Sequence, residues 1–179
     1  MRTLAAPTAL LALVLAGCAD SLPTVPTPER AELARGGGGA VAAARPISGR
    51  CELTVTPLPS TPPIVRQTDT GTCQLSHLGR TSYAGVLELD LAAGTQRGER
   101  TLTAANGDVL RMVSVGTSTP GGPGLVDFVA TLTFVGGTGR FANATGEARA
   151  EGTANIVTRT TVVALDGWLV YDASDRSRR

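Results

Sequence analysis

The chain has 179 residues, of which 42% are hydrophobic, 3% aromatic and 17% charged. That length suits one domain with a sizeable core and is short for two. Its 22 glycines and 11 prolines follow no collagen-like period, and apolar runs at a mean hydropathy of +0.11 exclude disorder throughout. A formal charge of +1 leaves no electrostatic footprint for nucleic acid. All 16 basic residues are arginine. Arginine suits bidentate anion recognition, but these are scattered among 15 acids and accompany only three Ile and three Asn. They read as the residue choice of a GC-rich genome.

The N-terminus reads as an address. Met1-Arg2 is a short positive region, and residues 4–15 are apolar. At about 1.5 Å per residue this stretch is too short to cross a hydrocarbon core of about 30 Å, so it is a signal region. It ends in Leu15-Ala16-Gly17-Cys18, which resembles the lipobox of bacterial lipoproteins. That resemblance implies cleavage after residue 17, acylation of Cys18 and a membrane partner held through acyl chains. Ala19, where a retained inner-membrane lipoprotein of enteric type carries Asp, points to the outer membrane of the cell envelope. Residues 18–46 follow as a tether, with Pro23, Pro26, Pro28 and four glycines at 36–39. Flexible chain of that length spans about 30 Å.

From residue 47 to 173 the chain reads as one all-β domain, followed by a short solvated tail at 174–179. Short runs of Thr, Val and Leu alternate with polar residues between Gly, Pro, Asn and Asp clusters. Strands are expected at 48–58, 64–76, 80–92, 98–105, 109–118, 125–135, 144–156 and 159–171. Leu87, Leu89 and Leu91 mark one dry face and Val126, Phe128, Ala130, Leu132 and Phe134 another. Asn106-Gly107 is the strongest hairpin signal. Eight short strands with short connections predict a single antiparallel eight-stranded barrel, with a two-sheet β-sandwich as the alternative.

The cysteines carry an independent argument. The numbers of Cys51 and Cys73 sum to 124, so an antiparallel pairing that sets them opposite turns at residue 62, inside Ser60-Thr-Pro-Pro63. Both side chains then join the face of Leu53, Val55 and Leu75. With Cys18 acylated, these two thiols form the expected disulfide, worth about 3 kcal/mol by loop closure. No CxxC occurs and His77 is the only histidine, so no metal site and no cofactor are expected. His77 itself reads as a turn residue.

Phe134-Val-Gly-Gly-Thr-Gly-Arg-Phe-Ala-Asn-Ala-Thr-Gly-Glu-Ala-Arg149 resembles the "GGTGRF…ATG" signature of allene oxide cyclase-like and dirigent-like β-barrels. Segments 71–80 and 103–108 are similar to further landmarks of uncharacterised bacterial proteins of that kind. The resemblance implies the barrel and carries no catalytic position onto this chain. Gly136, Gly137 and Gly139 suit a tight reversal with positive φ, and Phe141 is placed to plug a barrel end. The loop lacks GxxxxGK[ST] and leads into a strand, which argues against a phosphate cradle.

Beyond that turn Ala144, Gly146, Ala148, Ala150 and Gly152 alternate with Thr145, Glu147, Arg149, Glu151 and Thr153. So bare an inner face either lets the opposite wall approach or leaves a cavity, and six aromatics in the whole chain favour a narrow cavity. Parity places Asp69, Gln67 and Tyr83 as possible polar residues of the lumen. Trp168 and Tyr171 read as core or barrel-closing residues. The leading expectation is an envelope-anchored, non-enzymatic structural or interaction module. A binder of a small apolar ligand in the lumen comes second, and an isomerase or cyclase of the allene oxide cyclase type third.

Overall fold

The computed structural model describes residues 43–172, so the signal region, Cys18, most of the tether and the tail lie outside the described residues. Eight strands run in order: β1 (Arg45–Leu58), β2 (Ile64–Leu75), β3 (Gly79–Asp90), β4 (Thr95–Ala104), β5 (Val109–Gly122), β6 (Leu125–Gly137), β7 (Thr145–Asn155) and β8 (Thr160–Val170). Every neighbour is antiparallel, and β8 returns to β1, so the sheet closes into an eight-stranded barrel. The sandwich alternative is thereby excluded. Closure removes the two edges an open sheet would leave unpaired. β1 begins at Arg45, within the stretch read as tether, because residues 45–54 pair with 160–169 on β8.

Side-chain alternation decides which face is dry. Ala144 just before β7 and Gly146, Ala148 and Ala150 on it turn inward, and the charged Glu147, Arg149 and Glu151 face out. The phenylalanines of β6 lie directly across from β7 glycines, Phe134 opposite Gly146 and Phe128 opposite Gly152. A ring laid over a glycine fills space that the glycine leaves empty, which is why the bare face of β7 does not collapse.

The β1–β2 ladder keeps the register read from the cysteines: Cys51 faces Cys73 and Leu58 faces Arg66, about a reversal that includes a cis Pro62–Pro63 bond. The two sulfurs are bonded across a Cα–Cα distance of 4.0 Å. At the Asn106-Gly107 reversal, the Gly107 N–H donates to the Ala104 carbonyl and Gly107 takes a φ of 88°. In the motif loop Gly136 and Gly139 have positive φ (92° and 53°), whereas Gly137 does not. Gly137 is needed for a different reason: a Cβ there would collide with the Val109 carbonyl oxygen.

One end of the barrel is packed solid. The 3-10 turn Gly139–Phe141 drops Phe141 into that end at 0% exposure. Its ring meets Tyr171 at 5.3 Å between centroids, and Ile47, Leu102, Leu110 and Leu169 complete the plug. Tyr171 therefore fulfils its closing role. Trp168 does not: on β8 it has the opposite parity to Leu165 and Leu169, points outward and is 47% exposed. Leu91 is a second correction. β3 ends at Asp90, whose carboxylate accepts from the N–H groups of Ala92 and Ala93, and Leu91 is turned out at 62% exposure.

The disulfide closes a segment of 22 residues in separation, for which loop-closure entropy gives about 3 kcal/mol. Replacing both cysteines by alanine is expected to lower the unfolding free energy by about that amount. Guanidinium denaturation of the oxidised protein and of the double variant measures it.

Candidate functional site

The other half of the lumen is not filled. A cavity of about 90 Å³ opens at the end carrying the β1–β2, β3–β4, β5–β6 and β7–β8 turns. That is room for about three waters. Its walls are mostly apolar, with Leu53, Leu87, Phe128, Leu132, Val163 and Leu165, and the disulfide sits beside it at Cys51. Ala130, Ala150 and Ala154 contribute little bulk on one side, which is the structural result of the small inward residues of β6 and β7. A depression of about 560 Å³ over Val86 and Val113 is larger but lies on the outer wall, open to solvent.

Polar groups enter this apolar space from β2, β3 and β4. Asp69, Gly85 and Arg100 stand in one cross-strand row on three consecutive strands. Gly85 matters because a Cβ there would press against the Arg100 side chain, so its absence lets the arginine stem lie across the wall of the lumen. Asp69 is 6% exposed and Arg100 8%. Asp69 accepts a 2.9 Å hydrogen bond from Gln67 Nε2. Tyr83, 9% exposed, joins the cluster from the face of Leu87, opposite Gly71 on β2. Gln96 (5% exposed), Thr161 (6% exposed) and Ser118 add to the polar lining, with Gln96 Nε2 donating to the Thr117 carbonyl at 3.5 Å.

The electrostatics follow from burial. Desolvation pushes the Asp69 carboxyl above its usual range, and the Arg100 charge and the Gln67 hydrogen bond offset only part of that rise. Tyr83 is pushed up to about 12, again chiefly by burial, with Arg100 pulling the other way. Arg100 brings a guanidinium, which offers donors and no acceptor. Its Nη1 is buried and has no hydrogen-bond partner.

The structure thus brings the sequence-predicted Asp69, Gln67 and Tyr83 together on one wall. Arg100 and Gln96 are the residues that sequence reasoning missed. Their signal was parity: both share the period of Leu102 and Ala104, so an inward arginine follows from extending that dry face back along β4. Charge obscured it, because an arginine in a strand is ordinarily an outward residue. His77 lies in the β2–β3 turn with a φ of 61°, exposed and away from the cavity. Among the described residues no group of three or more His, Cys, Asp or Glu side chains converges as for a metal ion.

No family model matches this chain, and neither the curated proteins nor the solved structures contain a match.

The raised Tyr83 pKa has a definite sign. Between pH 10 and about 12 the unfolded chain has lost the phenolic proton and the folded chain still holds it, so stability falls as pH rises through that window. At 1.36 kcal/mol per pH unit the loss is about 3 kcal/mol. Tyr83→Phe is expected to remove that alkaline slope and leave the profile below pH 10 unchanged in shape. Urea titrations at several pH values read both.

Proposed function

We propose that the barrel is a binding module which holds a small, mostly apolar molecule in the open half of its lumen. The observation that carries this reading is the buried Arg100 guanidinium, with an unpartnered nitrogen, at the wall of an unfilled apolar cavity. A lumen selected only for stability would be closed by larger side chains. Burying a polar group without a partner costs several kcal/mol in an apolar medium, and replacing buried ionic groups by well-packed hydrophobic ones is often neutral or stabilising. An apolar pocket with a few converging polar groups is the usual form of a small-molecule site. The 90 Å³ size confines the enclosed part of the guest to a short chain or small ring, with any longer portion leaving through the mouth.

The reading includes an address. The Leu15-Ala16-Gly17-Cys18 motif and the apolar stretch before it support a mature chain beginning at Cys18, acylated there and moored in the cell envelope. A second reading, a non-enzymatic interaction module, is favoured by the outer wall, where Val86 (41%) on β3, Val113 (42%) and Val115 (66%) on β5 and Val135 (52%) on β6 are exposed. No enzymatic step is assigned to Asp69 or Tyr83.

Pentan-1-ol is a suitable probe of the lumen because its alkyl chain is short. In NMR titrations it is expected to shift the signals of Leu53, Phe128 and Val163 while leaving those of Leu110 and Phe141 in place. Ala130→Phe, which fills the cavity from β6, is expected to abolish the response. A wild-type protein whose lumen signals do not move with pentan-1-ol would remove the binding reading. The address is tested separately: Cys18→Ala is expected to shift the protein from the membrane fraction to the soluble fraction, and unchanged membrane recovery would count against the acyl anchor.

A further inference from the structure

We infer that the lumen selects guests bearing an oxygen acceptor, a carbonyl or a carboxylate, and that the Arg100 guanidinium is the group that reads it. This rests on the binding reading above and specifies its ligand class. Three observations lead to it. Arg100 is more than nine-tenths buried and lines the cavity, and its Nη1 has no acceptor among the described residues. Its acidic neighbour Asp69, which makes no ion pair with it within salt-bridge distance, accepts instead from Gln67. The backbone is shaped around the arginine, since Gly85 leaves free the space its stem occupies.

Chemistry narrows the guest from there. A guanidinium offers donors only and accepts nothing, so its partner must present a lone pair. Tyr83 stands on the same wall; its hydroxyl oxygen accepts a hydrogen bond from the Arg100 guanidinium, and its O–H, which stays protonated across the ordinary pH range, remains a second donor beside it. Two donors converging in a low-dielectric cavity favour one oxygen that accepts from both, as a ketone, aldehyde, ester or carboxylate oxygen does. The rest of the wall is aliphatic or aromatic and asks for hydrocarbon. Entry runs past the exposed turn residues Leu91 (62%), Ile156 (64%) and Val157 (79%) at the open end, which offer an apolar approach. Of these Ile156 belongs to the cavity lining itself.

The test compares three probes of equal chain length by calorimetry on the folded domain with its disulfide intact: pentane, 2-pentanone and pentanoate. At least one of the two oxygen-bearing probes is expected to bind ten times more tightly than pentane or better, in keeping with a hydrogen bond to a charged donor. Which of them leads tells whether the guest is neutral or anionic. In Arg100→Met, which keeps the stem and removes the donor, that advantage is expected to fall to about twofold or less. The guanidinium protons of Arg100, followed by NMR in the unsubstituted protein, give a readout that does not depend on the variant folding. They are expected to shift with the leading oxygen-bearing probe and to stay in place with pentane. Equal affinity for all three probes would overturn the selection while leaving the binding module standing, as would a preference that survives Arg100→Met. Failure of all three to bind would overturn both.

Discussion

The pairing of β8 with β1 is the constraint on which the rest of the molecule depends. Ten residue pairs, from Arg45 with Leu169 to Thr54 with Thr160, join the two ends of the sheet. Closure fixes the circumference, and eight strands enclose a space just wide enough for side chains to fill. What happens inside is then a matter of supply. The chain has three Phe, two Tyr and one Trp, and Trp168 faces outward. Two of the remaining rings, Phe141 and Tyr171, are spent on one end. Phe134 is buried against Gly146. That leaves Phe128 and Tyr83 to serve the other half, where β6 and β7 present alanine and glycine. An end sealed by aromatics and an end left hollow are therefore two consequences of one composition.

The hollow half gives the buried charges their meaning. Asp69 and Arg100 share a cross-strand row, yet the carboxyl is held above its usual range because burial outweighs the attraction between them. A buried pair in ideal contact would do the reverse, holding the carboxyl down. Arg100 Nη1 is left without a hydrogen-bond partner among the described residues, and in the proposed reading an acceptor supplied from outside completes the guanidinium. Geometry and electrostatics converge on a guest more naturally than on a structural strut, since a strut gains nothing from an unpaired donor at the wall of a void.

Much of this architecture was legible in the residues, for identifiable reasons. The strands were readable because alternation has a period of two and the turns carry glycine or proline, so the expected eight fall on the observed eight. The disulfide register was readable because a proline-rich reversal fixes the sum of paired positions, and Cys51 faces Cys73 as that sum requires. The Asp69–Gln67–Tyr83 cluster followed from the same parity. Three features were hidden. Leu91 looked like the next step of a dry face, but Asp90 caps the turn and ends the strand first. Trp168 looked like core by size, whereas its parity places it outside. Arg100 was hidden because its charge argued for solvent, and only Gly85 on the neighbouring strand, a contact between residues 15 apart in sequence, makes room for it inside.

Amide hydrogen exchange along β1 and β8 tests closure most directly. If the sheet returns on itself, the amides of residues 45–54 and 160–169 exchange as slowly as those of β3 and β4, because both sides of each strand are paired. If β1 and β8 are instead edges of an open sheet or a sandwich, alternate amides on one side of each exchange at the rate of exposed backbone. That pattern would contradict the closed barrel, and with it the lumen and its site.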